Sequence, residues 1–536
     1  MTTDICFASG GNIMDKIPAS IFNDVIGPVM RGASSSHVAG GNRIAQLMRQ
    51  SMSGKVTRAV VDFDPTGALA ASHTGHGTDM GFACGLIDIA ISEPYADQYE
   101  RLAEEYGLEI EYRILEYGAE HPGNYRVELT DENGLVRHWE AIAIGGGMVE
   151  LQKLEEFSVS IDGAFCELLV ICDGGADCSG LIENVAGSPE YNIACEGDGR
   201  RLLNLKYSGS LSEETLEKVR AIVGVTDVMY LEPVLPIGAR AGIKVPFITA
   251  EELLAYADEH PMEAWEYAAL YESERGGIST EEVWNMMDNI LSIMEGSVET
   301  GLAGTSYQDR ILGTQVPKFV SAEQEGKLIP CTPINSIIKC ITAIMECKSA
   351  MGLIVAAPTC GSCGCLPGTV IGFGRAYGIS RDEMIKALLV AGLMGIFFAE
   401  EATFSAEVGG CQVECGAGSG FAAAAVTQMM GGTIQQCVDA ASIGLQNITG
   451  LACDPVGNRV EWPCLGKNIM GGSNAVASAN MALAGYDKVI PLDETIQAIY
   501  EIGKSLPLEL RCTFGGLGVT KTGLEMLEKS ERHFRD

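Results

Sequence analysis

The segment DEMIKALLVAGLMGIFFAEEA, Asp382 to Ala402, decides the fold of the second half of the chain. Its apolar residues cover nearly the whole circumference of a helix, which is typical of a helix buried at the centre of a large bundle. The uninterrupted apolar run, Ala387 to Ala399, ends at two glutamates and is shorter than the roughly 20 residues that span a membrane. The segment therefore predicts the core helix of a soluble helical domain.

Helical patterns continue on both sides of this segment, separated by Gly-rich breaks. AEELLAYADEHPMEAWEYAALYESE begins at Ala250, NSIIKCITAIMECKSAMG begins at Asn335, and GFAAAAVTQMMGG begins at Gly420. Strand signals nearly vanish after Phe247. We predict an all-α domain over residues 237–536.

Residues 156–236 carry a different pattern. A strand (SVSIDGAFCELLVICD) and a helix (GLIENVAG) precede two strands (NIACEG and RLLNLKYSG), a second helix (SEETLEKVRAIV) and a last strand (VTDVMYLEP). This βαββαβ order is the ferredoxin-like pattern. The unit resembles an ACT domain, a small regulatory module that often binds amino acids, and a ferredoxin-like unit without a ligand is the alternative.

Residues 1–155 mix strand-like runs such as VTRAVVDFD (Val56 to Asp64) with helical segments such as YADQYERLAEEYG (Tyr95 to Gly107). This mixture predicts an α+β domain. The chain is thus expected to be multidomain, with an α+β N-terminal domain, a ferredoxin-like, ACT-like middle domain and an all-α C-terminal catalytic domain.

The charge balance and the N-terminus restrict the possible partners. The chain of 536 residues has 36 Lys and Arg against 71 Asp and Glu, a net charge of −35, which argues against binding to nucleic acid. No basic segment followed by an apolar core stands at the N-terminus, so we expect no signal peptide, no membrane partner and a cytoplasmic location. Eighteen cysteines in a reducing compartment predict buried thiols or metal ligands rather than disulfides.

Three of these cysteines stand on irregular, Gly- or Pro-rich breaks beside apolar helices. Cys411 lies in EVGGCQVECGAGSG, Cys453 in LACDPVG and Cys464 in WPCLGKN. Loops can aim thiolates at one point and leave backbone N–H groups for sulfide, as an iron–sulfur site requires. Their spacings of 42 and 11 residues match no short metal motif, so from the pattern alone an incidental placement stays open.

The order of the motifs adds a family resemblance. SAEVGGCQVECGAGSGFAAAA, GLACDPVGNRVEWPCLGKN and VAAPTCGSCGCLPGTV resemble the signature segments of the iron–sulfur L-serine dehydratases in order and spacing. GASSSHVAG (Gly32 to Gly40), TGHGTD (Thr74 to Asp79) and GGG (Gly145 to Gly147) resemble the β-type segment of the same family. The matches recur from residue 27 to about 520, so the resemblance implies β-type and α-type segments in one chain, interrupted by the ACT-like insert.

The resemblance implies an oxygen-labile 4Fe-4S cluster held by three cysteines, with one iron left open to the substrate. By position the ligands are Cys411, Cys453 and Cys464. A fourth thiolate would fill the coordination position that acts as Lewis acid on a hydroxyl oxygen. Pro455 and Gly457 are expected to bend the loop so that Cys453 and Cys464 face one site.

The chain also departs from the family pattern. Four further cysteines stand near the signature residues, where they are either buried small residues or a metal or redox pair: Cys360, Cys363, Cys365 and Cys415. LGKN, Leu465 to Asn468, stands where the family usually reads Ile-Glu-Arg-Asn, and Lys467 keeps the positive charge without the planar fork of Arg. Asn447 lies near the position of a family histidine. These departures leave the identity of the substrate open.

Candidate substrate-binding and catalytic residues come from the N-terminal motifs. Ser34, Ser35, Ser36 and His37 form a polar turn before a helix, where hydroxyls and backbone N–H groups can receive a carboxylate. A simple helix cap is the alternative.

His76 is flanked by glycines, and Asp79 stands close enough in sequence to fix its tautomer. The resemblance makes His76 and His37 the catalytic candidates. The rest of the predicted substrate-binding set is Thr78, Asp79, Lys467 and Asn468.

The predicted reaction is β-elimination of water from a β-hydroxy amino acid, with L-serine as first choice and pyruvate and ammonia as products. Either His76 or His37 would remove the α-proton. A cysteine desulfidase or a dehydratase of another hydroxy acid on the same cluster stays open, and so does a non-catalytic amino-acid or redox sensor. No lysine stands in a context typical of pyridoxal phosphate. The resemblance and the edge pairing of ACT-like units favour a homodimer.

Overall fold

The computed structural model describes residues 7–8, 16–174, 178–307, 310–457, 459–513 and 515–533. A sheet-rich N-terminal part is followed by a helical C-terminal part, as predicted. Residues 1–6 and 9–15, on which the expectation of no signal peptide rests, lie outside this description. In the part of the chain that is described, no helix is both long and apolar enough to cross a membrane.

The N-terminal part is built on a six-stranded sheet. Two short strands, β1 (Phe7–Ala8) and β2 (Val29–Arg31), lie outside it. The strands of the sheet are β3 (Val56–Phe63), β4 (Glu109–Ile114), β5 (Asn124–Asp131), β6 (Val136–Gly145), β7 (Met148–Leu154) and β8 (Phe157–Ile161). Four helices accompany them: α1 (Gly40–Gln50), α2 (Leu69–His76), α3 (Thr78–Leu86) and α4 (Tyr99–Tyr106). The strand order is β4-β3-β5-β6-β7-β8, parallel between β3 and β4 and antiparallel elsewhere.

Alternation along the strands decides which face of this sheet is buried. In β5, Tyr125, Val127 and Leu129 are buried and join Trp139 of β6 and Leu47 of α1 in one apolar cluster. Because successive side chains of a strand point to opposite faces, the intervening residues carry charges on the other face. There the carboxylate of Asp62 accepts hydrogen bonds from the side chains of Arg113 and Arg126.

The middle segment has the predicted order of elements: β9 (Cys166–Asp173), α5 (Ser179–Ala186), β10 (Tyr191–Gly197), β11 (Arg200–Tyr207), α6 (Glu213–Arg220) and β12 (Val225–Leu231). The antiparallel sheet has the order β1-β10-β11-β9-β12. The first and third strands of the βαββαβ unit are therefore adjacent at its centre, as in a split βαβ arrangement.

One prediction for this segment was wrong in detail. The first strand was expected to run without a break, but it is divided at Gly163, which has a φ of +79°. Phe157–Ile161 pairs with β7 of the N-terminal sheet, and only Cys166–Asp173 belongs to the middle sheet. Leu169 and Ile171 of that strand share the apolar cluster of the N-terminal part, whereas Leu168 and Val170 pack under α5 and α6.

The helical part contains α7 (Ala250–Glu259), α8 (Ala264–Gly276), α9 (Thr280–Ala303), α10 (Val316–Gln324), α11 (Thr332–Ser349), α12 (Cys365–Tyr377), α13 (Arg381–Glu401), α14 (Ala406–Gly409), α15 (Cys415–Met429), α16 (Ile434–Gln446), α17 (Cys464–Leu483), α18 (Leu492–Ser505) and α19 (Lys521–His533). The predicted core helix is α13, in which every residue from Ala387 to Phe398 is buried. Every residue of α15 is buried too. The prediction of two core helices is confirmed.

Glycines of α13 bring the N-terminal part into contact with the bundle. A Cβ atom built on Gly392 would lie 2.6 Å from the side chain of Ile21, and one on Gly395 would lie 2.0 Å from that of Val25. Ile21 and Val25 belong to one helical turn, Ile21–Val25. Because glycine has no side chain, Gly392 and Gly395 leave room on α13 for this turn.

The helical part also contains a strand that the sequence pattern did not indicate. β13 (Leu353–Val355) pairs antiparallel with β2, with Leu353 opposite Arg31 and Val355 opposite Val29. The domain is therefore not purely helical. A strand of three residues is too short to show a period of two, and its hydrogen-bonding partner lies more than 300 residues away in the sequence.

Candidate active site

A narrow cavity, called here the site cavity, lies between the N-terminal and helical parts. Its walls combine the predicted serine turn and His76 with two of the three predicted cluster cysteines. The lining residues used below are Ser34, Ser35, Ser36, His76, Gly145, Gly146, Thr359, Gly361, Ser405, Glu407, Glu414, Cys453, Cys464 and Cys512. Motifs from opposite halves of the chain thus meet at one place.

The pairing of β2 with β13 explains how these halves come together. The serine turn follows β2 and the Thr359 segment follows β13, so the strand pair delivers both to the same point. Beyond the strands, the backbone N–H of Cys360 donates to Ser35 Oγ at 3.3 Å, and the Cys360 thiol donates to the carbonyl oxygen of Gly32 at 3.1 Å. The serine turn is therefore fastened directly to the helical part.

The serine turn holds the ring of His37 in one orientation. Ser34 Oγ lies 2.9 Å and Ser36 Oγ 3.3 Å from His37 Nδ1, and Ser72 Oγ lies 2.8 Å from His37 Nε2. Ser34 occupies the cap position of the turn Ser35–Ala39, but its side chain makes no capping hydrogen bond. Its hydroxyl is directed to His37 instead, which disfavours a simple helix cap.

His76 ends α2 and packs against His37, with ring centroids 4.6 Å apart. Gly77 follows with a φ of +87° and turns the chain into α3, while Gly81 lies so close to the serine turn that a Cβ would be 2.1 Å from Val38 O. Both histidines are buried. Burial lowers the pKa of His37 well below its usual range, and the imidazoles of His76 and His73 add to this effect. His37 is therefore neutral at physiological pH.

Asp79 contacts a different histidine from the one expected. Its Oδ1 lies 2.7 Å from Nδ1 of His73, three residues before His76. The left-handed turn at Gly77 starts a new helix, so Asp79 faces back toward the preceding helical turn rather than toward His76. Thr78 is buried next to Tyr125. Neither Thr78 nor Asp79 is among the residues that line the site cavity.

The three predicted cluster cysteines are all buried and come from three irregular segments. Cys411 lies in the short turn Cys411–Val413 before α15, and Cys464 begins α17. Cys453 lies in an extended segment whose N–H donates to Leu510 O at 2.8 Å. Cys453 and Cys464 line the site cavity, and Cys411 contacts Cys453.

The thiols influence one another's ionisation. Hydrogen bonds from Cys415 and Cys453 lower the pKa of Cys411 well below its usual range, against the effect of burial. Burial raises the pKa of Cys464 to about 12. Clustered thiols of this kind are the soft donors that iron–sulfur clusters take.

The site cavity is lined by thiols, carboxyl groups and one imidazole, all of which are possible metal ligands. Among the described residues, no three His, Cys, Asp or Glu side chains converge closely enough to hold one metal ion. The fit to an iron–sulfur cluster rests on the chemistry of the donors: buried thiols, with Cys411 in contact with Cys453 and with Cys453 and Cys464 on the wall of the site cavity.

Lys467 and Asn468 hold the cysteine-bearing segments instead of lining the site cavity. Lys467 Nζ donates to Asp454 Oδ1 and to Ala452 O, both at 2.6 Å. Asn468 Nδ2 donates to Gly361 O and Cys464 O, both at 2.8 Å.

The segment between Cys453 and Cys464 folds back on itself as expected. Gly457 has a φ of +62°, and the N–H of Val456 donates to Trp462 O at 2.9 Å.

Several lining residues were missed by sequence reasoning. Glu407 and Glu414 flank Cys411 within the quoted signature segment, and Thr359 precedes Cys360. Glu414 Oε1 accepts a hydrogen bond from Thr359 Oγ1 at 2.7 Å. Burial raises the pKa of Glu414 well above its usual range, and the nearby thiolate of Cys411 adds to this effect. Two acidic residues in an otherwise uncharged segment were the available signal.

Cys512 is a further thiol that the sequence did not single out. It lines the site cavity and its side chain contacts that of Cys453. Its N–H donates to Cys453 O at 2.9 Å.

The other additional cysteines are buried in packed surroundings. Cys363 Sγ lies 3.9 Å from Met345 Sδ, and a Cβ built on Gly471 would lie 2.7 Å from Cys365 Sγ. Cys415 contacts Cys411. Among the described residues no cysteine forms a disulfide.

Comparison with known proteins shows similarity over the helical part of the chain. The family model described as serine dehydratase alpha chain matches residues 252–517. A probable L-serine dehydratase, alpha chain, of Bacillus subtilis (strain 168) is 39% identical over 284 residues, which cover 53% of this chain and 95% of the relative.

A second relative extends the similarity to the N-terminal part. The L-serine dehydratase of Helicobacter pylori (strain ATCC 700392 / 26695) is 25% identical over 514 residues, covering 94% of this chain and 98% of the relative. These matches define an enzyme of the lyase class. The chain belongs to the serine dehydratase family that the motifs indicated, that of the iron–sulfur L-serine dehydratases.

Proposed function

We propose that this chain converts L-serine to pyruvate and ammonia by Lewis-acid-assisted β-elimination on an iron–sulfur cluster. The observation that carries the proposal is the site cavity, where the serine turn and His76 face Cys453 and Cys464. Relatives named L-serine dehydratase support the choice of substrate.

A 4Fe-4S cluster would be held by Cys411, Cys453 and Cys464. When bound, it supplies an iron with an open coordination position that polarises the substrate's C–O bond, which is needed because hydroxide is a poor leaving group. Lys467 and Asn468 support the ligands indirectly, since their hydrogen bonds fix the segments that carry Cys453 and Cys464.

The serine turn is proposed to bind the substrate carboxylate. Ser34, Ser35 and Ser36 line the cavity next to the start of α1, where hydroxyl groups are available as donors. Their bonds to His37 and to Cys360 N–H hold them in place before the substrate arrives. Such preorganisation lowers the entropy cost of binding. Asp79 contributes indirectly, by orienting His73, whose ring packs against Phe63 and Tyr112.

We assign the base to His76 and an orienting role to His37. His76 lines the cavity, whereas both ring nitrogens of His37 are engaged with serine hydroxyls. Because His37 is held neutral, it places no positive charge against the ring that must accept a proton. A ring nitrogen of His76 would then take the α-proton, and the enamine product would tautomerise and hydrolyse.

Anaerobic reconstitution with iron and sulfide tests the proposal. We expect pyruvate and ammonia from L-serine after reconstitution and loss of activity in air. Full activity of metal-free protein would overturn the proposal. Release of sulfide from L-cysteine at a rate far above that of pyruvate from L-serine would favour the desulfidase alternative, and tight binding of L-serine without turnover would favour a sensor.

The domain boundaries 1–155, 156–236 and 237–536, with an ACT-like regulatory middle unit, are part of the proposal. The split βαβ strand order supports it. If L-serine also binds there, rates should depend on serine concentration sigmoidally, and a hyperbolic dependence in the full chain would count against it. We also propose that the chain forms a homodimer. Light scattering of the full chain should then give the mass of two chains.

A further inference from the structure

The charged groups on the wall of the site cavity do not match those of an amino acid one for one. Among its lining residues that the structure describes, none is Lys or Arg, while two are glutamates, Glu407 and Glu414. An α-amino acid brings one carboxylate and one ammonium group. The carboxylate must therefore be received by neutral donors, and the ammonium group has two carboxyl groups available as acceptors.

The two glutamates have different neighbours. Glu414 Oε1 accepts a hydrogen bond from Thr359 Oγ1 at 2.7 Å, and a Cβ built on Gly361 would lie 3.3 Å from the same oxygen. The backbone N–H of Glu414 donates to Cys411 O at 3.1 Å. The carboxyl group of Glu414 is therefore already engaged, next to a proposed cluster ligand.

Glu407 lines both the site cavity and a second cavity beside the serine turn. It belongs to the short helix α14, and its Oε2 accepts a hydrogen bond from Ser405 Oγ at 2.8 Å. Ser405 packs on Gly145, where a built Cβ would be 3.0 Å from Ser405 Cβ. A second, smaller cavity shares Glu407 and Ser405 with the first and is also lined by Ser36 and His37. The carboxylate of Glu407 therefore stands close to the groups proposed to bind the substrate carboxylate.

We infer that Glu407 receives the substrate's ammonium group and so makes the site selective for amino acids over carboxylic acids that lack it. The inference rests on the proposed function for the location of the substrate. An ion pair that is largely shielded from water gives a larger energy difference than one in bulk solvent. A ligand without the ammonium group would leave the Glu407 carboxylate without its partner, and unpaired polar groups in a site strongly reject such ligands.

Equilibrium binding of two inert ligands tests this directly. L-alanine keeps the carboxylate and the ammonium group but has no leaving group, and propanoate lacks the ammonium group. We expect the reconstituted wild type to bind L-alanine about 10- to 100-fold more tightly than propanoate. Equal affinity, or no binding of L-alanine, would overturn the inference.

Glu407→Gln removes the charge and keeps the shape of the side chain, so it should abolish most of this preference. Glu401→Gln is the matched control, because Glu401 is an exposed residue at the end of α13. Retention of the wild-type preference in Glu407→Gln would contradict the inference. If that variant does not fold, Glu407→Asp replaces it. We expect an intermediate preference for L-alanine in Glu407→Asp, and an unchanged preference would count against the binding of the ammonium group by Glu407.

The pyruvate assay keeps the two proposals apart. If the wild type turns over L-serine but Glu407→Gln keeps the ligand preference, Glu407 does not bind the ammonium group and the proposed function still stands. If the wild type prefers L-alanine, Glu407→Gln does not, and the wild type forms no pyruvate, the ammonium site is established and the dehydratase activity is refuted.

Discussion

The imidazole rings of His37 and His76 meet edge to face, with centroids 4.6 Å apart and ring planes at 73°. Only His76 lines the site cavity, while His37 is hydrogen-bonded to serine hydroxyls through both nitrogens. The two histidines, which the motifs indicated equally, are therefore expected to have different functions. Substitutions at each should separate them.

Replacing His76 by Asn should remove the base. General acid–base catalysis contributes roughly 10²- to 10⁴-fold, so we expect kcat to fall by at least about 100-fold with little change in KM. His138→Asn is the control, since His138 is exposed on the open face of the N-terminal sheet. Steady-state pyruvate formation by reconstituted enzyme measures both constants, and wild-type kcat in His76→Asn would exclude this residue as the base.

The buried, neutral His37 should make stability depend on pH. Its pKa is lowered in the folded chain, so between that value and the ordinary 6.5 the unfolded chain binds more protons. The free energy of unfolding should therefore fall as pH drops below about 6.5 and gain nothing from His37 above it.

Urea unfolding of wild type and His37→Gln at pH 7.5, 6.5 and 5.5 measures this dependence. The variant should lose less stability than wild type between pH 6.5 and 5.5. Parallel losses in the two proteins would mean that another group is responsible.

Alanine at any one of Cys411, Cys453 and Cys464 should abolish stable iron binding. Because these thiols are the only protein ligands proposed, loss of one leaves the cluster with two. Iron and acid-labile sulfide per chain, measured after anaerobic reconstitution, report this independently of activity.

Two cysteine controls sharpen this test. Cys437→Ala, a buried cysteine of α16, should keep iron. Cys512→Ala should keep it too, although Cys512 contacts Cys453. Iron loss in Cys512→Ala would show that four thiolates hold the cluster.

The ion pair between Lys467 and Asp454 should stabilise the segment around Cys453. The two side chains are mostly shielded from solvent, and Lys467 Nζ also donates to Ala452 O. Breaking such a pair costs roughly 2–4 kcal/mol, because one charge loses its partner in a partly buried site. Lys467→Met should lower the unfolding free energy by about that amount and weaken retention of iron.

Lys504→Met is the control for this pair, since Lys504 pairs with Glu501 at the exposed end of α18. Exposed pairs contribute roughly 0–1 kcal/mol. A similar loss in both variants would argue against a special role for Lys467.

The pair Glu167–Lys206 joins adjacent strands of the middle sheet, with both side chains fully buried and 2.5 Å between Oε1 and Nζ. Removing one partner leaves an uncompensated buried charge, so Lys206→Met alone should cost about 3–5 kcal/mol. The double variant Glu167→Gln with Lys206→Met should cost much less, since Gln keeps an acceptor for Asn204. Equal losses in the single and double variants, measured by urea unfolding, would contradict this account.

The elements that sequence reasoning predicted are those whose signal is local. The core helix α13 follows from apolar residues on every face, and the order of the βαββαβ unit follows from short alternating runs between turn residues. The division at Gly163 and the three-residue strand β13 were missed, because both depend on pairing with strands elsewhere in the chain.

The site divides in the same way. Motifs indicated the serine turn, His76 and the three cysteines, but they did not show that Asp79 contacts His73 or that Lys467 contacts Asp454. Nor did they separate the functions of Glu407 and Glu414, which stand seven residues apart in one segment. Their hydrogen-bond partners, Ser405 for Glu407 and Thr359 for Glu414, became known only from the tertiary structure.

By itself the sequence determined the types of secondary structure, the buried helices at the centre of the bundle and the family of the chain, because periodicity, burial and motifs are properties of neighbouring residues. Only the tertiary structure decided which side chains share the site cavity. That choice depends on the pairing of Val29–Arg31 with Leu353–Val355, which brings residues more than 300 positions apart within hydrogen-bonding distance.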